Sequence, residues 1–218
     1  MSLGHFTFTH LMYLVQSIWW TLVLSGLAFV LGAFGGFGLM LARISPRPWL
    51  RWLAVLYIEC IQGIPLLILL FIVYFGLSVY GLSLPSLVAA GIAMMIYVSA
   101  YLGDIWRGCI EAMPKPQWEA SECLAFTRWQ TLRLVIIPQA MRLSLPPTVG
   151  FLVQIIKMTS VASVIGFIEL TRAAQIINNS IFQPFLIFTV VGAMYFAICY
   201  PLSRWSESLE RKLNVANR

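Results

Sequence analysis

The chain has 218 residues, 60% of them hydrophobic and only 10% charged, with a net charge of +6. A soluble domain of this size could not cover so much apolar surface, so a water-soluble globular fold is excluded. Membrane-spanning helices remain, because the apolar residues come in blocks near or above the roughly 20 residues that cross ~30 Å of hydrocarbon.

The first block, about Leu11–Ala42, is too long for one perpendicular crossing and is expected to tilt or to begin outside the bilayer. No basic segment precedes it and no small-residue cleavage site follows, so it reads as a retained span rather than a secretory signal. Its Gly32-x-x-x-Gly36 spacing permits close helix approach, although glycine is also ordinary in lipid-embedded helices. The second block, about Trp52–Val79, contains Gly63-Ile64-Pro65. Pro65 has no N–H, so the carbonyl of Ile61 should lose its helical partner and the helix should kink or restart. A short turn through Gly81 and Pro85 leads into the third block, about Ser86–Trp106, where Asp104 and Arg107 are spaced for a local ion pair. A polar interruption over about 107–147 follows. Pro146-Pro147 is expected to open the fourth block, about Thr148–Leu170, and Gln183-Pro184 the fifth, about Phe185–Leu202. The expected architecture is therefore an all-α membrane protein with five transmembrane helices in one domain over residues 1–218.

Charge fixes the expected orientation. Twelve of the fourteen basic residues fall between spans one and two, between three and four, or after span five; Arg218 is the last of them. The positive-inside bias then predicts an extracytoplasmic N-terminus and a cytoplasmic C-terminus. Confinement of the charge to short juxtamembrane segments argues for topology rather than nucleic-acid binding. Cys60, Cys109, Cys123 and Cys199 lack metal-knuckle spacing and read as buried small hydrophobes. Trp19, Trp49, Trp52, Trp106 and Trp205 lie near span ends, as an interfacial belt would.

Catalytic chemistry finds little support. No G-x-x-x-x-G-K-[ST] loop is present, and the only histidines, His5 and His10, lie in the N-terminal tail. No metal site and no catalytic residue are expected. The polar residues expected at membrane depth are more informative. Lys157 falls near the middle of span four, with Gln154 before it and Thr159 and Ser160 after it. An ammonium there costs on the order of 3 kcal/mol by insertion scales and is usually kept for a pathway or a partner. Glu59 of span two could pair with it structurally. In the polar interruption, Trp118–Leu124 can form a short helix in which Glu119 precedes the small Ala120 and Ser121. Small side chains let a partner approach closely, and the leading carboxylate offers a directional ion pair.

Glu119-Ala120-Ser121-x-x-x-Ala125, then Arg128-Trp129-Gln130-Thr131-Leu132 and Ile137-Pro138-Gln139-Ala140, resembles the EAA loop of permease subunits of bacterial ATP-binding-cassette (ABC) importers. Gly63-Ile64-Pro65-Leu66-Leu67, Ala100-Tyr101-x-x-Asp104-x-x-Arg107-Gly108, Lys157-x-Thr159-Ser160 and Glu169-Leu170-x-Arg172-Ala173-Ala174-Gln175 are similar to the subgroup serving polar amino acids (histidine, arginine, glutamate, glutamine, cystine and opines). The departures are Ser121 and Ala125, where the family usually has Ala and Gly, Gln62 and Ile64 in its Arg-Gly-Thr-Pro, and Met158 after the lysine. The resemblance implies the type I ABC importer permease fold in the bacterial inner membrane. It implies a second permease chain, two ATPase subunits that carry ATP and Mg, an extracytoplasmic binding protein and an amino-acid substrate, with no cofactor in this chain. It further implies ATPase coupling through Glu119, Ala120, Ser121, Leu124, Ala125 and Phe126. A translocation path would be lined by candidates among Gln154, Lys157, Thr159, Ser160, Glu59 and Gln62.

Overall fold

The computed structural model describes residues 5–216; Arg218 of the charge argument lies outside them. Eight helices are described. They are α1 (Phe8–Ile44), α2 (Pro48–Gln62), α3 (Leu66–Val79), α4 (Ser86–Glu111), α5 (Lys115–Cys123), α6 (Arg128–Ile165), α7 (Leu170–Ile181) and α8 (Pro184–Ala216). Four of these, α1, α4, α6 and α8, are long and apolar enough to cross a membrane, and α2 with α3 supplies a fifth crossing if the bent pair is one span.

The seam between α1 and α4 organises the core. A Cβ added to Gly32 would lie 2.4 Å from Val98 Cγ1, and one on Gly36 would lie 3.0 Å from the backbone nitrogen of Gly103. The Gly32-x-x-x-Gly36 spacing thus serves close helix approach. Leu24, Ala28, Ala93, Val98 and Leu102 are buried along this seam, and Ile155 and Ala162 of α6 close the same cluster.

Second-span geometry follows from Pro65. The α2 and α3 axes meet at 100°. The Ile61 carbonyl does not stay unpaired, because the Ile64 N–H turns back to it at 3.3 Å. The Pro65 carbonyl restarts the helix by accepting from Ile68 and Leu69. Neither half has the roughly 20 residues of a straight crossing.

Four expectations are corrected. Pro146 and Pro147 do not open a span: α6 starts at Arg128, runs through both prolines, and ends in a tightened 3-10 stretch over Thr159–Ile165. The prolines remove two N–H donors and so free the carbonyls of Arg142 and Leu143; a cavity of about 440 Å³, lined in part by Leu143, lies beside them, and Ser206 of α8 separately donates to the Pro146 carbonyl at 2.8 Å. Freed carbonyls are tolerated where they border a cavity that water can enter. The interruption at 107–147 is therefore mostly helical. The last helix continues past Pro201 to Ala216. Finally, Cys199 alone is buried among the four cysteines, with Cys60 and Cys123 exposed. Trp106 is also not a belt residue, since it is half-buried and donates from Nε1 to Thr148 Oγ1 at 2.9 Å.

Candidate functional site

Two places hold the sequence-predicted residues. The first is the short helix α5. Pro116 sits in its first turn, where a missing N–H costs nothing. A Schellman motif stops it: the Ala125 N–H donates to the Glu122 carbonyl at 2.9 Å and the Phe126 N–H to the Ser121 carbonyl at 3.1 Å. This places Ala125 in the left-handed region, at φ 55°. The next helix starts immediately, with a reciprocal cap in which Gln130 N–H donates to Thr127 Oγ1 and Thr127 N–H to Gln130 Oε1. Trp118 packs against the cluster of Met40, Ile110, Leu132 and Ile136, and Gln139 of α6 donates to Gln117 Oε1.

The helix is consequently pinned by one face. Glu119, Ala120, Glu122 and Leu124 are exposed, with Leu124 at 67%, while Phe126 is half-buried. Ser121 departs from expectation: it is only 2% exposed and its hydroxyl donates to the Gln117 carbonyl. Its small size therefore serves packing against the bundle, and Ala120 supplies the small outward position. Neither Glu119 nor Glu122 forms an ion pair among the described residues.

The second place is α6 at its far end. Gln154 and Lys157 are exposed one turn apart. Ser160 is half-buried, and its hydroxyl turns back to the Lys157 carbonyl at 2.7 Å. Thr159 does not join this face; it is fully buried and donates to the Ile156 carbonyl. On α2, Glu59 is exposed and Gln62 half-buried. Lys157 and Glu59 make no ion pair among the described residues, so a structural pairing within the chain does not explain the lysine. The ion pair expected near the C-terminal end of α4 does form, Arg107 reaching Asp104 at 3.0 Å and also bonding Glu111.

One site escaped the residue-level reading. Glu169 is fully buried and caps α7, accepting from the N–H groups of Thr171 and Arg172 at 2.9 and 2.8 Å and from the Tyr195 hydroxyl at 2.9 Å. The Leu170 N–H donates to Thr21 Oγ1 of α1, so the start of α7 is bolted to two other helices. The available signal was the apolar spacing Leu170, Ala173, Ala174, Ile177, Ile181 directly after a carboxylate.

Residues 34–215 match the family described as the binding-protein-dependent transport system inner membrane component. The chain is similar to a probable amino-acid ABC transporter permease of Bacillus subtilis, YckA, at 36% identity over 92% of this chain and 88% of that one. It is 37% identical to the L-cystine transport system permease TcyB of Bacillus subtilis, over 90% and 85% of the two chains. Identity to the glutamine transport system permease GlnP of Escherichia coli is 34%, over 85% and 88%. A crystal structure of an amino acid ABC transporter with histidines matches with a TM-score of 0.89 and 32% identity, covering 96% of this chain and 100% of that one. The methionine ABC transporter MetNI in inward-facing form shares the fold, at a TM-score of 0.71 and 16% identity over 94% and 99% of the chains.

Proposed function

The chain belongs to the family of binding-protein-dependent inner-membrane transport components, and we propose that it forms half the translocation path of an amino-acid importer. As a multi-pass permease of an ABC transporter it is a transport component and not an enzyme. In this reading ATP and Mg act on two separate ATPase subunits, a second permease chain completes the path, and an extracytoplasmic binding protein delivers a polar amino acid. The distribution of basic residues supports an extracytoplasmic N-terminus and a cytoplasmic C-terminus in this reading.

The observation that carries the reading is the construction of α5. Its inner face is fixed by Trp118 and Ser121, its C-terminal end is closed by the Schellman motif, and Glu119 and Ala120 are left outward with no side-chain partner among the described residues. A helix so held transmits a push rather than absorbing it. It would be gripped by an ATPase subunit, and closure of two such subunits would draw the two permeases between inward- and outward-facing arrangements.

The polar face of α6 supports the same conclusion. Gln154 and Lys157 project from a helix otherwise suited to lipid, where an uncovered ammonium is expensive. A second permease covering that face would enclose them, and the ammonium could then receive the substrate carboxylate.

Glu119→Lys in the assembled transporter tests the coupling role. Uptake is expected to fall at least about tenfold, the scale of an interface hot spot, while membrane insertion stays normal. Uptake equal to wild type would remove α5 from the coupling path.

A further inference from the structure

Between the end of α1 and the start of α6 lies a cavity of about 410 Å³ that the transport reading does not use. Leu41, Ile44, Leu132 and Trp129 form its apolar wall, and Arg47 and Arg128 also line it. Trp129 is 57% exposed, as an indole at the headgroup level would be.

The charge here is uncompensated. No carboxylate lines the cavity, and neither arginine has an ion pair among the described residues. Arg128 spends one N–H on the Ile44 carbonyl at 3.2 Å, which closes the C-terminus of α1 and leaves the rest of its fork unengaged among the described residues. Two arginines and no acid line one mostly apolar recess, and a phosphate diester held there could accept bidentate hydrogen bonds from their guanidinium groups. A free phosphate would gain nothing from Leu41, Ile44 and Leu132. A phospholipid satisfies both halves of the site, since its acyl chain can follow that wall into the hydrocarbon.

We propose that this cavity binds one anionic phospholipid, its headgroup phosphate between Arg47 and Arg128 and an acyl chain against Leu41, Ile44 and Leu132. The site rests on the orientation given above only for its leaflet, the cytoplasmic one, where such lipids meet basic juxtamembrane residues. An occupant there would staple α1 to the base of the helix that follows α5.

Native mass spectrometry of the purified full-length chain, titrated with dioleoyl phosphatidylglycerol, tests the site. One lipid should bind in preference to dioleoyl phosphatidylcholine. Arg47→Gln, which breaks no side-chain bond seen in the chain, should weaken binding about fivefold, from roughly 1 kcal/mol per basic residue near the surface. Arg128→Gln should do the same, while the charge-matched pair Arg204→Gln and Arg211→Gln on α8 should leave binding unchanged. Equal binding of phosphatidylcholine, no effect of Arg47→Gln, or displacement by inorganic phosphate would each overturn the proposal. Loss of the lipid when ATPase subunits are bound would also overturn it by giving the recess to a protein partner. Failure of the chain to bind any ATPase would leave the lipid result intact and count only against the transport reading.

Discussion

Helices α4 and α8 invert the rule that holds in water. In its most apolar stretch α4 has 61% of its residues buried within the chain, whereas the more apolar α8 has only 17%. The reason is that lipid tails are as apolar as leucine, so helices in a membrane associate through close packing rather than by hiding hydrophobic surface. Seven of the twelve buried positions of α4 are small: Ala89, Ala90, Gly91, Ala93, Ser99, Ala100 and Gly103. Phe185, Phe188, Phe196 and Tyr200 of α8 point away from the chain. One helix is finished inside the molecule, and the other is left for lipid or for another chain.

A matched pair of substitutions should break the comparison most sharply. Gly36→Leu forces a side chain into the backbone of Gly103 and should destabilise the chain by about 3 kcal/mol, the upper range for overpacking. Gly192→Leu, on α8, meets no atom within 4 Å and should leave stability near wild type. Thermal melting of the purified chain in detergent separates the two. Equal effects would mean that the α1–α4 seam is not the closed half of the structure.

Lys157→Ala sharpens the other half. An exposed ammonium that makes no ion pair among the described residues should contribute little to melting, but roughly tenfold to uptake if it bonds a substrate carboxylate, given about 1.5–3 kcal/mol for hydrogen bonds to charged groups. A fall in melting temperature with unchanged uptake would return Lys157 to a structural role.

The same division decides what could be read from the sequence. The Gly32-x-x-x-Gly36 seam, the break at Pro65 and the Asp104–Arg107 pair were legible because each depends on local spacing or on a missing N–H. Outward Glu119 and Ala120 were legible as a motif. Ser121 was not, since which residue of a short helix turns inward is set by where Trp118 docks. Pro146-Pro147 misled because the loss of two donors is tolerated beside the cavity that Ser206 helps to form, and α8 lies sixty residues on. Thr159 was grouped with Lys157 by proximity in sequence, although one belongs to the core and the other to the open face. Helix α7 was hidden by its short length, its amphipathic pattern falling between two strongly apolar spans.

Ala125 gives the smallest effect and the finest test of how α5 is held. Its difference from the usual glycine of the family reads, from sequence, as a matter of how closely a partner can dock. The backbone supplies another reason: the residue stands at φ 55°, where an alanine Cβ crowds the following carbonyl at a cost of roughly 1–2 kcal/mol that glycine avoids. Ala125→Gly should therefore stabilise the chain by about 1 kcal/mol, or about 2–4 °C in melting temperature for a protein of this size. Ala125→Val should lower melting, because a β-branched residue tolerates that conformation least. If Ala125→Gly melts below wild type, the end of α5 is not closed by the left-handed turn, and the rigidity on which the coupling role depends has another source.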